Sequence, residues 1–120
     1  MAYEITASAN LTARKNNAVV TGVANFTATM TGNNMVSNTQ SIGTSAEPID
    51  FGDISGAPAA VLIRNLDSTN YVEIGGDSGL TVFKIKIPAG QCALFTPSSG
   101  TVYAKANTAA VLVQVTAVEA

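Results

Sequence analysis

Gly76-Asp77-Ser78-Gly79 is the tetrapeptide found around the nucleophilic serine of serine proteases. A serine hydroxyl attacks a carbonyl only when a neighbouring base takes its proton, and that base is normally histidine. The chain has no histidine, and Lys84 and Lys86 fall on the polar side of an alternating run. The tetrapeptide therefore reads as a glycine-rich loop. Asp50-Phe51-Gly52 copies the magnesium-binding triplet of protein kinases, but the glycine-rich loop, strand lysine and catalytic loop that work with it are missing. Two carboxylates across a glycosidic bond can act as acid and base. Asp50 with Asp53, and Glu73 with Asp77, are the close pairs, yet a sugar site needs aromatic walls and the chain has no tryptophan and 6% aromatic residues. Glu47, Asp50 and Asp53 offer calcium-type oxygen ligands outside any EF-hand or RTX spacing. Cys92 is the single cysteine, so no intramolecular disulfide and no Cys/His zinc set can form. It reads as a small buried hydrophobe in a strand. This inventory points away from an enzyme and away from any metal or cofactor.

The elements that carry these residues are strands. Tyr3, Ile5, Ala7, Ala9, Leu11 and Ala13 alternate with Glu4, Thr6, Ser8, Asn10, Thr12 and Arg14, a period of two that implies one buried and one wet face. Lys15-Asn16-Asn17 signals a turn. From Val19 to Thr31 the rhythm resumes, with Val20, Ala24, Phe26, Ala28 and Met30 on one face and Thr21, Asn25, Thr27, Thr29 and Thr31 on the other. Met35 to Thr44 is polar and reads as an irregular edge strand. Ser45 to Pro58 reads as a long connection holding one short strand. Ala59 to Leu66 and Tyr71 to Ile74 read as a hairpin around Asp67-Ser68-Thr69-Asn70. Further strands are expected over Val82–Ile87, Gln91–Thr96, Thr101–Ala106 and Ala110–Val118, the last with Val111, Val113, Val115 and Ala117 inward. No segment has a capped 3.6-residue period. The expected fold is all-β, a jelly-roll-like β-sandwich or barrel of about eight short antiparallel strands with little or no helix.

Composition bounds the partners. At 120 residues the chain is expected to form one domain, with residues 1–15 as a possible N-terminal arm. Hydrophobic residues make up 47% and charged residues 12%, about half the usual share, so part of the surface is expected to be covered by sister subunits or a partner. A net charge of −2 and scattered basic residues give no hold on nucleic acid or an anionic membrane. No apolar run approaches the ~20 residues of a membrane span. The N-terminus has no charged and apolar regions of signal-peptide type, which points to synthesis and use in a reducing cytoplasm.

Val61-Leu-Ile-Arg-Asn-Leu-Asp-Ser-Thr-Asn-Tyr-Val-Glu-Ile-Gly75 resembles small virion proteins of tailed bacteriophages. Phe83-Lys-Ile-Lys-Ile-Pro-Ala-Gly-Gln-Cys-Ala-Leu-Phe95, Val102-Tyr-Ala-Lys-Ala106 and the valine-rich last strand continue the likeness, which covers roughly the last 60 residues. The resemblance implies a capsid cement or decoration protein of jelly-roll-like build, bound to the major capsid protein on the outside of the head. It also implies a homo-oligomer, most often a trimer, made in the host cytoplasm and located in the virion. The alternatives are a neck, tail or fibre-base component, or a receptor- or glycan-binding β-sandwich module. The opening strand and Met35–Pro58 lie outside the resemblance. Either is expected to pair with a neighbouring subunit at a sheet edge, with Tyr3, Ile5, Leu11, Ile49, Phe51 and Ile54 as interface residues.

Overall fold

A computed structural model describes residues 4–120, so Tyr3 lies outside the described residues. Ten strands and no helix occur among them, in antiparallel sheets, as the alternation leads one to expect. The chain divides into two compact units, the first ending at Thr31 and the second running from Gly32 to Ala120. The second strand returns along the first and joins neither four-stranded sheet.

In the first unit, β1 (Ile5–Lys15) pairs with β2 (Ala18–Ala28) through eleven opposed pairs, from Ile5–Ala28 to Lys15–Ala18. Asn16 turns the chain with φ 55. Asparagine visits this left-handed region because its short polar side chain can hydrogen-bond locally. At the open end, the Met30 amide donates to Glu4 Oε1 at 2.9 Å. The expected buried face is largely absent. Of the residues in β1, Ile5 is buried, Ala7 is half-buried and the others are exposed; in β2 all but the half-buried Ala28 are exposed. Alternation records that two faces differ in polarity. It does not supply a second layer, and a two-stranded ribbon has none within its own unit.

The second unit contains β3 (Met35–Ile42), β4 (Glu47–Pro48), β5 (Ala60–Asn65), β6 (Val72–Gly75), β7 (Lys84–Ile87), β8 (Cys92–Phe95), β9 (Tyr103–Ala106) and β10 (Val111–Val118). One sheet has the order β3-β10-β5-β8 and the other β4-β9-β6-β7. Successive strands switch sheets at every connection except β6 to β7, and the first and last strands of the unit lie side by side. That is the eight-stranded jelly roll, two Greek keys folded over one core. Hence β5 and β6 do not form a hairpin. They belong to different sheets, and Asp67–Asn70 is a corner between them.

Inward-facing residues of both sheets make the core. β10 buries Val111, Val113, Val115 and Ala117 while Leu112 and Gln114 face out, as its alternation requires. Val61, Ile63, Val72, Ile74, Ile87 and Ala106 meet them, and Ile49, Phe51 and Val102 close the ends. Burying each valine or isoleucine stabilises the fold by about 1.5–3 kcal/mol. β3 is an edge strand, but a regular one, paired with β10 from Met35–Val118 to Ile42–Val111. Its pattern is hard to see in the sequence because Asn38 and Gln40 share the inward side with Val36 and Ile42. Gln40 bridges the two sheets: Nε2 donates to the Pro48 carbonyl at 3.1 Å and Oε1 accepts from the Asp50 amide at 2.9 Å.

Candidate interaction surface

Of the carboxylates singled out by spacing, Asp77, Asp50 and Glu47 hold local backbone. Asp77 Oδ1 accepts from the Thr81 and Val82 amides at 2.7 and 3.0 Å, and Oδ2 accepts from Thr81 Oγ1 at 2.7 Å. The Thr81 hydroxyl first, then these amides, hold the Asp77 carboxyl below its ordinary pKa. Ser78 beside it is exposed in the β6–β7 loop. Asp50 Oδ1 accepts from the Gly52 amide at 2.8 Å, and Glu47 Oε2 from the Gly43 amide at 3.0 Å. Glu73 pairs with Lys84 at 3.8 Å. Among the described residues, no three His, Cys, Asp or Glu side chains stand together as a metal site would need.

Two buried polar side chains tie the jelly roll's ends. Asn65, fully buried at the end of β5, donates from Nδ2 to the carbonyls of Asn70 and Ile87, both at 3.0 Å. Its Oδ1 accepts from the Asp67 amide at 2.8 Å. Asp67 in turn accepts from the amides of Asn70 and Thr69, which lower its pKa in that order. Asn65 is thus the pin of the corner that carries the chain from one sheet to the other. Glu119 is 7% exposed. Its carboxylate accepts from the Ser55 amide at 2.6 Å, from Asn34 Nδ2 at 3.2 Å and from the Asn33 amide at 3.0 Å. The Ser55 amide, then the Asn34 side chain, hold its pKa below the glutamate norm.

The register also gathers charges that look scattered along the chain. Glu73 lies opposite Lys86 on β7 and Lys105 on β9, so with Lys84 three lysines surround one carboxylate on the outer side of that sheet. Lys86 Nζ sits 4.4 Å from the centre of the Tyr71 ring. Exposed pairs of this kind contribute ~0–1 kcal/mol and keep the face wetted. Cys92 is exposed, contrary to the buried reading. It sits on the edge strand β8, opposite Arg64, whose position in β5 faces outward.

Within the first unit, the strands of the ribbon are exposed along almost their whole length. Opposed residues of an antiparallel pair share a face. One face of the β1–β2 ribbon presents Ala7 with Phe26, Ala9 with Ala24, Leu11 with Gly22, and Ala13 with Val20. No polar side chain interrupts it over that length. Leu11 is 71% exposed, Val20 64% and Phe26 41%. The other face pairs Thr6 with Thr27, Ser8 with Asn25, Asn10 with Val23, Thr12 with Thr21 and Arg14 with Val19.

Of the residues expected at an interface, Leu11 is on this exposed face and Ile5 is buried at its base. Ile49 and Phe51 fill the jelly-roll core, and Ile54 packs against it. The connection that carries these three turns them towards the core of its own unit. Val20, Gly22, Ala24 and Phe26 share that exposed face with Leu11, a grouping that the sequence reading does not single out. The register of β2 on β1 was the missing signal, since it places them beside Leu11.

Comparison with protein-family models, curated proteins and solved structures finds no match. The ribbon's role follows from its own physics. A lone two-stranded hairpin is marginal in water and gains independent stability when another layer covers an apolar side.

Proposed function

We propose that this chain is a structural virion protein of a tailed phage, a cement or decoration protein that attaches to the outer surface of the major capsid protein lattice as a homo-oligomer. The observation that carries the reading is the exposed ribbon: eleven opposed pairs with a continuous apolar face, a form suited to burial in an assembly. The resemblance at Val61–Gly75 and Phe83–Phe95 supports the phage origin. A jelly roll is one of the architectures that viral shells use, although the fold by itself hosts many roles. The role we propose is non-catalytic: Asp50 and Asp77, one carboxylate of each pair that spacing suggests as acid and base, already accept loop amides.

The test is co-sedimentation of the purified full chain with heads of its phage lacking the protein, followed by electron microscopy of the particles. Saturable binding at a fixed number of copies per capsomer is the expected result. Deleting residues 1–31, which removes both ribbon strands and spares all eight jelly-roll strands, is expected to abolish it. Binding to the neck or tail instead of the shell, or undiminished shell binding by the deletion, would overturn the reading.

A further inference from the structure

We infer that the apolar face of the β1–β2 ribbon is covered by the same face of another copy, with Leu11 of one ribbon seated in the hollow left by Gly22 of the next. The inference deepens the assembly reading but does not need the phage assignment.

Size and shape both matter. In each of three pairs a bulky side chain stands opposite a small one: Phe26 opposite Ala7, Leu11 opposite Gly22, Val20 opposite Ala13. The remaining pair, Ala9 with Ala24, is small on both sides. The bulky residues also alternate between strands, β2, then β1, then β2. When identical ribbons pack around an axis along their strands, β1 of one faces β2 of the next. Each knob then meets the small member of the same pair: Leu11 on Gly22, Phe26 on Ala7, Val20 on Ala13. A face with this pattern fits itself at three of its four levels.

Gly22 supplies an independent sign. A glycine inside a strand weakens it and often marks the close approach of another backbone. A Cβ added at Gly22 would meet nothing within 4 Å in the chain itself. No intramolecular contact requires glycine there, and its φ is not in the left-handed region. The requirement fits a neighbour.

Charge narrows the occupant. Between Ala7–Phe26 and Ala13–Val20 the face has no charged residue, so a charged partner surface would be desolvated without compensation. An uncharged face of matching relief is what the ribbon itself offers. Area sets the strength. Seven residues at ~3.4 Å and two strands at ~4.8 Å give roughly 230 Å² of flat apolar face per copy. This is below the ~800 Å² per partner of a standard stable complex, so the contact is weak and concentration-dependent in free solution.

Sedimentation equilibrium of the full chain over a wide concentration range reads this directly. The expected result is reversible association from 12.2 kDa towards a small multiple of it. Gly22→Phe fills the hollow, where a Cβ meets no atom of the chain within 4 Å, and should weaken association about tenfold or more. Thr21→Phe adds the same bulk to the opposite face and should leave it unchanged. Circular dichroism of both variants verifies the strand content. A chain that stays at 12.2 kDa up to the highest concentration, or association weakened equally by both variants or by neither, would overturn the inference. If shells bind the protein while it remains monomeric, the inference fails and the assembly reading stands. If copies associate through the ribbon but no shell binds them, the reverse holds.

Discussion

Replacing Asn65 by alanine removes three hydrogen bonds at one buried point. The carbonyls of Asn70 and Ile87 lose the Nδ2 donor, and the Asp67 amide loses its Oδ1 acceptor. At about 1 kcal/mol net per bond, the loss is about 3 kcal/mol, and more where a freed group stays shut away from water. In a domain of this size each kcal/mol moves Tm by about 4–8 °C, so the midpoint should fall by roughly 12–24 °C. Asn65→Asp keeps the acceptor for Asp67 but turns an oxygen towards both carbonyls, and should cost at least as much at neutral pH. Denaturation can be followed by far-ultraviolet circular dichroism, with tyrosine fluorescence reporting on Tyr71 beside the corner. A loss under ~1 kcal/mol for Asn65→Ala would show that the corner does not depend on this side chain.

Acid should destabilise the second unit with a definite sign. The folded pKa of Glu119 is depressed, so its contribution is complete above the unfolded value of ~4.3 and is lost as pH falls through the lower folded value. Asp67 and Asp77 act in the same direction. Stability should be flat above about pH 5 and fall below it, and Glu119→Gln should flatten that fall when urea midpoints are measured across the range. Gly32→Ala should mimic the Glu119 variant, because a Cβ at residue 32 would collide with the Glu119 carboxylate and push it from its amide partners. In the core, Ile63→Ala should cost about 2–5 kcal/mol by urea denaturation, while Leu62→Ala on the outer face of the same strand should stay within about 0.5 kcal/mol.

Several features were legible because they depend on neighbours along the chain. The inward set Val111, Val113, Val115 and Ala117 is a run of alternating polarity, and the jelly roll buries it as read. The turn at Asn16 is equally local, since asparagine tolerates left-handed geometry better than most residues. Leu11 was placed on an apolar face by the same rhythm, but that face, expected to be buried, is exposed. Asn65 gave less: it falls inside the strand run Ala59–Leu66, but nothing local marks this polar residue as the pin of a corner, and it is fully buried. Its burial depends on carbonyls five and twenty-two positions away turning towards it.

Residue order alone determined that this chain forms strands, where most of them turn, and which side of each is greasy. Those properties follow from side chains alternating across a single pleated backbone. Tertiary structure decided which strand lies beside which. It put β5 and β6 in different sheets, brought Lys105 next to Glu73, left Cys92 at an edge, and folded β2 onto β1 so that an apolar face stayed uncovered. Pairing and stacking are contacts between distant segments, and a period of two is the same whether a second layer covers the strand or not.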